Sequence, residues 1–130
     1  MRHVGAELMA LAPGHCTLGV TNRPELLQQY GMFHGGVTAF LVDNATTIAA
    51  QSMLGAERAA LTAEYKLNLI SPAIGTQLIC RARVVKSGRS LSVVAADVYT
   101  ISNDGAKHSA TALATISAVD RSSLPPIMVK

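Results

Sequence analysis

The chain has 130 residues, 49% of them hydrophobic, with two Phe, three Tyr and no Trp. That is enough for one domain whose core is filled by Ala, Val, Leu and Ile, and not enough for two cores. Eleven basic against eight acidic side chains give a net charge of +3, too mild and scattered for a nucleic-acid binder, and no apolar run approaches the roughly 20 residues a membrane helix needs. Met1-Arg2-His3 is followed by Glu7 without an apolar stretch, so no secretory signal is expected and the chain reads as soluble and cytoplasmic. Cys16 and Cys80 stand far apart with no partner at metal-ligand spacing and are expected to be reduced, buried thiols.

Periodicity divides the chain into elements. Residues 5–21 read as a strand or an interrupted pair, broken at Pro13-Gly14. Asn22-Arg23-Pro24 ends that stretch, and an irregular segment leads to Tyr30-Gly31. Over residues 35–54 the pattern becomes helical: Val37, Leu41, Ala45, Ile48 and Ser52 recur every three or four positions without a Pro. Residues 61–69 then alternate, apolar at odd and polar at even positions, as a half-buried strand does. Residues 71–75 form a turn, and Leu78, Cys80, Ala82 and Val84 alternate with Gln77, Arg81 and Arg83. The next turn is Lys86-Ser87-Gly88-Arg89, where a positive φ is expected at Gly88. Residues 91–101 make another strand, Asn103-Asp104-Gly105 a hairpin turn, and residues 107–119 the last strand. Residues 120–130, with Pro125-Pro126, are expected to be a loose tail. One long helix followed by an antiparallel meander predicts an α+β fold with a curved sheet around the helix.

Phosphate-loop, dinucleotide, nucleophile-elbow and zinc-protease motifs are absent, and the four His are too scattered to suggest a metal site; neither metal nor cofactor is expected. The informative stretch runs from Phe33 through His34-Gly35-Gly36 to Asp43 and Asn44. Paired glycines at a helix start leave backbone N–H groups uncovered, where the helix dipole favours an oxyanion. Asp43, two turns beyond Gly36, is a carboxylate in an apolar helix with no cation nearby, which is costly unless it is hydrogen-bonded or used. The plainer alternative is a tight helix entry at Gly35-Gly36, with Asp43 facing solvent or a subunit boundary and His34 serving as a cap.

The whole pattern from about Gly5 to Val119 resembles the hotdog-fold acyl-CoA thioesterases, in particular the branch named for the phenylacetic-acid pathway thioesterase PaaI. Gly31-x-x-His34-Gly35-Gly36 with Asp43, the strand at 61–69, Ser71-Pro72-Ala73-x-Gly75 and Lys86-Ser87-Gly88-Arg89-Ser90 carry the resemblance. It implies that Asp43 is the nucleophile or the general base for water, and that the Gly35 N–H polarises the thioester carbonyl. Gln28 matches a position where the family has Asn or Gln to position substrate or water, and Thr62 one where a Ser or Thr lies near the water. The family completes each site across a homodimer, and dimers commonly pair into homotetramers.

On their own residue types, Gln28 serves equally as a loop hydrogen-bonding group, and Thr62 as a β-branched strand filler. Arg58, Arg81, Arg83, Lys86 and Arg89 are candidate partners for coenzyme A phosphates, with a solvated surface as the plainer reading of any one of them. Lys86 and Arg89, flanking a glycine turn with Gly88 and Ser90, are the preferred pair, and Gly36 is expected to approach substrate. Ala39, Phe40, Ala50 and Met53 are candidates to line an acyl pocket of aryl or medium-chain size. No Asn-Pro-x-His segment suggests a hydratase, and a non-catalytic acyl-CoA-binding or assembling module is the alternative from another class.

Overall fold

The computed structural model describes residues 1–128, so Val129 and Lys130 of the expected tail lie outside the described residues. Strands β1 (Glu7–Ala12) and β2 (His15–Thr21) precede the helix α1 (Gly35–Gln51). Strands β3 (Arg58–Leu69), β4 (Gln77–Ser87), β5 (Leu91–Ser102) and β6 (Gly105–Asp120) follow it. All six join one antiparallel sheet in the order β1-β2-β4-β5-β6-β3. This is the α+β arrangement that the periodicity predicts and the hotdog fold that the resemblance implies, with one helix against a curved sheet.

The Pro13-Gly14 break becomes the β1–β2 turn and Asn103-Asp104-Gly105 the β5–β6 turn, with φ of 76° at Gly14 and 104° at Gly105, values an L side chain rarely adopts. Gly88 differs from its expectation: its φ is not positive. Glycine is needed there because an added Cβ would sit 2.5 Å from the Leu91 carbonyl oxygen, which accepts a hydrogen bond from the Gly88 N–H at 2.8 Å.

The expected four-strand meander is also corrected. Only β4, β5 and β6 run as neighbours in order; β3 pairs with β6 at the far edge, and β4 lies between β2 and β5. The helix carries the chain across the sheet from β2 to that edge, and residues 70–76 bring it back. The helix stops at Gln51, before residue 54, where Ser52 and Met53 turn back onto Ile48 and Ala50 carbonyls. Asp120 turns the first part of the tail: the Ser122 N–H and hydroxyl donate to its carboxylate, capping a short 3-10 turn and holding its pKa below the ordinary carboxylate value.

Leu18, Leu41, Leu78, Val94, Val98 and Ile116 are fully buried between helix and sheet. Strand β6 contributes Ala110, Ala112 and Ala114 to the same core, and such small side chains let the helix lie close to the sheet. The apolar alternation on β3 is not a single face. A bulge between Thr62 and Glu64 switches the strand over. Ala60 and Thr62 lie opposite the core residues Ala118 and Ile116, whereas beyond the bulge Tyr65, Leu67 and Leu69 lie opposite Ala114, Ala112 and Ala110. Residues directly opposite share a face, so Thr62 and the later odd residues all point to the helix side, and Leu61 is turned out to solvent.

Cys16 and Cys80 are free and buried, as expected. Burial pushes the Cys16 thiol up to about 11 and Cys80 to about 12 from an ordinary 9.0. Because the folded values are raised, the stability these protonated thiols contribute is present below pH 9 and lost as pH climbs through 11 to 12. A Cys16→Ala/Cys80→Ala variant is therefore expected to lose stability less steeply above pH 9 than the parent, in urea melts across that range. Neither native thiol should react with a disulfide reagent at pH 8 until the chain is unfolded.

Candidate active site

The first turn of α1 is built without a side-chain cap: His34 occupies the N-cap position, makes no capping hydrogen bond and leaves its imidazole exposed. Its backbone does the anchoring, the N–H donating to the Leu26 carbonyl at 2.9 Å and the carbonyl accepting from Val37 and Thr38. The Gly35 and Gly36 N–H groups, in the first turn, have no intrahelical acceptor. Over them the helix dipole favours negative charge. A Cβ on Gly35 would lie 3.0 Å from the terminal Cδ1 of Leu69, whereas one on Gly36 would meet open space. Gly35 is thus where a neighbouring side chain approaches the helix start.

Gly35 opens onto a cleft of about 400 Å³ at this end of the helix, shared with Gln28, Met32, Leu69, Ile70 and the buried Thr38. Gln28 spends its side-chain carbonyl within its own loop, accepting from the Tyr30 N–H, and its backbone pairs with Met32 and Gly31. Its side-chain amide group remains beside the cleft as a donor.

Asp43 lies elsewhere. It follows Gly35 by eight residues, about 12 Å along the helix, and is not among the cleft residues. It is half-buried, and Thr62 donates to its Oδ1 at 2.6 Å. Thr47, one turn further on, lies with its hydroxyl 2.9 Å from that of Thr62 and 2.8 Å from the Asp43 carbonyl oxygen. The Thr62 proton is directed at the carboxylate and the single Thr47 proton at the Asp43 carbonyl oxygen, so the two hydroxyl oxygens lie side by side with both protons turned to Asp43. One carboxylate oxygen is thereby fixed by a short charge-assisted bond, and no partner is recorded for the other among the described residues. Such a group can accept a proton from water or attack an electrophile.

Within one chain the structure brings together Asp43 with Thr62, and separately Gln28 with Gly35 at the cleft, which Gly36 does not line. It does not join the two pairs. Lys86, Gly88, Arg89 and Ser90 lie at the β4–β5 turn, on the Leu61–Ser117–Leu91 row of the sheet, whereas the cleft lies at the row of Leu69 and Ala110. Lys86 and Arg89 are exposed, but Arg58 is a structural strut, donating to the Ala118 carbonyl at 2.6 Å. The expected acyl-lining set is also corrected: Ala50 sits in the core and Met53 past the helix end, and neither they nor Ala39 and Phe40 line the cleft. Thr47 and Leu69 were missed by sequence reasoning. The four-residue step from Asp43 would have flagged Thr47, which must share its helix face, whereas Leu69 meets Gly35 only through the tertiary fold.

Residues 30–106 match the family model described as Thioesterase superfamily. Human acyl-coenzyme A thioesterase 13 is 33% identical over 94 residues, a match covering 70% of this chain and 65% of that protein, just under two thirds of the relative's length. A thioesterase family protein from Silicibacter pomeroyi superposes with a TM-score of 0.90 at 37% identity, covering 92% of this chain and 88% of the other. The E. coli PaaI protein from the phenylacetic acid degradation operon shares the fold at 18% identity, with a TM-score of 0.79 over 91% of this chain and 82% of its own. With its helix-start glycines, its Thr62-held Asp43 and a family match over more than half its length, the chain belongs to the thioesterase superfamily.

Proposed function

We propose that the protein hydrolyses acyl-CoA thioesters to the free acid and coenzyme A, with Asp43 as the acting carboxylate and the Gly35 N–H as oxyanion donor. The observation that carries this reading is the half-buried Asp43 held through one oxygen by Thr62, in a chain of the thioesterase superfamily. Water supplies the oxygen that bonds to the acyl carbon, directly or through an Asp43 anhydride. The C–S bond breaks, and the departing thiolate takes a proton from the site. A donor such as Gly35 contributes about 3–4 kcal/mol to related acyl transfers. The cleft beside Gln28 and Gly35, about 400 Å³ and walled by Met32, Phe33, Leu69 and Ile70, suits a medium-chain or aryl acyl group.

The site is completed between two copies of the chain. Thr62 touches Asp43 and Leu69 reaches Gly35, and both lie on the edge strand β3. Two β3 edges pairing antiparallel about their middle, around Tyr65 and Lys66, bring Thr62 of one copy alongside Leu69 of the other. That register carries the second copy's Gly35 and Gln28 to Asp43. The Leu61 row, which bears the Lys86–Ser90 turn, then falls at the level of the second copy's Ile70. Lys86 and Arg89, with Gly88 and Ser90 shaping the turn and Gly36 leaving its helix entry open, then face the phosphates of a coenzyme A bound there. A homodimer is the working unit on this reading, and a homotetramer its pairing.

Three outcomes are expected. Free-thiol release from a panel of acyl-CoAs should fall on the order of 10²- to 10⁴-fold in Asp43→Asn with the fold kept. Full activity in that folded variant would remove Asp43 as the acting carboxylate, and none in the folded parent would turn the reading to a non-catalytic acyl-CoA-binding module. Thr62→Val should lower kcat roughly 10- to 100-fold, the worth of one hydrogen bond to a charged group. Subunit exchange between Asp43→Asn and Gln28→Ala should restore activity to the mixture, since a mixed pair contains one intact site. A mixture no better than the average of its components would rule out a shared site.

A further inference from the structure

On the opposite side of the sheet from α1, we infer a second ligand site, one that takes a small amphipathic organic acid: a carboxylate head on an apolar body of medium-chain or aryl size. Two hollows meet there. One, of about 280 Å³, is lined by His15, Thr17, Arg81, Arg83, Asp97 and Tyr99. The other, of about 220 Å³, is lined by Ile79, Arg81, Tyr99, Ile101 and Ala106. Arg81 and Tyr99 belong to both, so one lobe is cationic, the other apolar, and the two adjoin.

Strand register explains the arrangement. Ile79, Arg81 and Arg83 alternate along β4 with the buried Cys80 and Ala82, so they share the outer face. Thr17 lies opposite Arg81 on β2, and Ala95 lies opposite Arg83 on β5, both small enough to leave hollows between longer neighbours. The two guanidinium groups make no ion pair or side-chain hydrogen bond among the described residues. Asp97 lies opposite Arg81 in the ladder, but its Oδ1 is bound at 2.8 Å by Nε2 of His108. His108 in turn stacks on Tyr99, with ring centroids 5.1 Å apart. This draws the one carboxylate of the hollow toward β6 and leaves Arg81, whose guanidinium carbon is 6.0 Å from the centre of the Tyr99 ring, and Arg83 facing the space. Two adjacent forks that no protein carboxylate pairs with recognise a carboxylate or phosphate head. Ile79, Ile101 and the Tyr99 ring select, among such anions, one with an apolar body.

The site lies across the sheet from Asp43, so it does not depend on the proposed reaction, although the free acid that reaction yields has the chemistry the site selects. The experiment is titration of octanoate into protein labelled at isoleucine methyls. Ile79 and Ile101 report the outer site, whereas Ile70 reports the cleft at the helix start. Saturable shifts are expected at Ile79 and Ile101, weakened at least about tenfold by Arg81→Gln/Arg83→Gln, with inorganic phosphate and octanol each binding more weakly than octanoate. Both arginines are exposed, and a circular dichroism melt confirms that the variant is folded. Shifts at Ile70 alone, no shifts, shifts indifferent to the arginine substitutions, or phosphate or octanol binding as tightly as octanoate would each overturn the assignment. Failure of the outer face to bind octanoate because a second copy covers it counts against it in the same way.

Discussion

The arrangement depends on how a carboxylate is kept in the middle of an apolar helix. Among the described residues Asp43 has no cation to pair with, and the hydroxyl of Thr62 meets it at 2.6 Å. Leaving a half-buried charged oxygen without its donor costs on the order of 1–3 kcal/mol, so helix and edge strand must hold a fixed relation. Two features of the sheet secure it. The alanines of β6 let α1 lie low enough for a short side chain to span the gap. The bulge after Thr62 lets β3 turn that hydroxyl inward and still present Leu67 and Leu69 to the helix side.

The same strand spaces the two halves of the chemistry. Thr62 marks the carboxylate and Leu69 marks the helix start, seven positions apart on one edge. A single copy therefore carries both halves and joins neither. In the proposed dimer a two-fold axis on that edge would reconcile them, because antiparallel pairing exchanges the positions at its two ends. Asymmetry within the chain would thereby become complementarity between chains.

Much of the fold was legible because its signals are local. The Pro13-Gly14 and Asn103-Asp104-Gly105 turns, the 3.6-residue recurrence of α1 and the alternation of β4 each report a backbone state chosen by nearby residues. What sequence could not give was neighbourhood. Strand β3 reads as a regular alternating strand next to β4, yet it lies at the far edge, and its inward side changes at Ala63, a bulge that no turn residue announces. At the site, Asp43 and the paired glycines stood out as chemically odd for their surroundings. Leu69 and Ile70 did not, because an apolar residue at a strand end looks the same whether it covers a core or a cleft. The acyl-lining expectation at Ala50 met the same limit, since a small residue that could leave space for a ligand can equally pack in the core, where Ala50 lies.

Strand β1 sets a boundary of another kind. It is only six residues long, every one of them exposed, and its register with β2 slips between Leu8 and Ala10. An unbulged edge carrying Leu8, Met9 and Leu11 would be a template for further strands. The slip at Met9 twists that edge, while the sulfur of Met9 folds back over Gly19. A sheet extended through β3 would thus terminate in β1 at both ends, closing as a finite pair where an unbroken edge would propagate as a fibre.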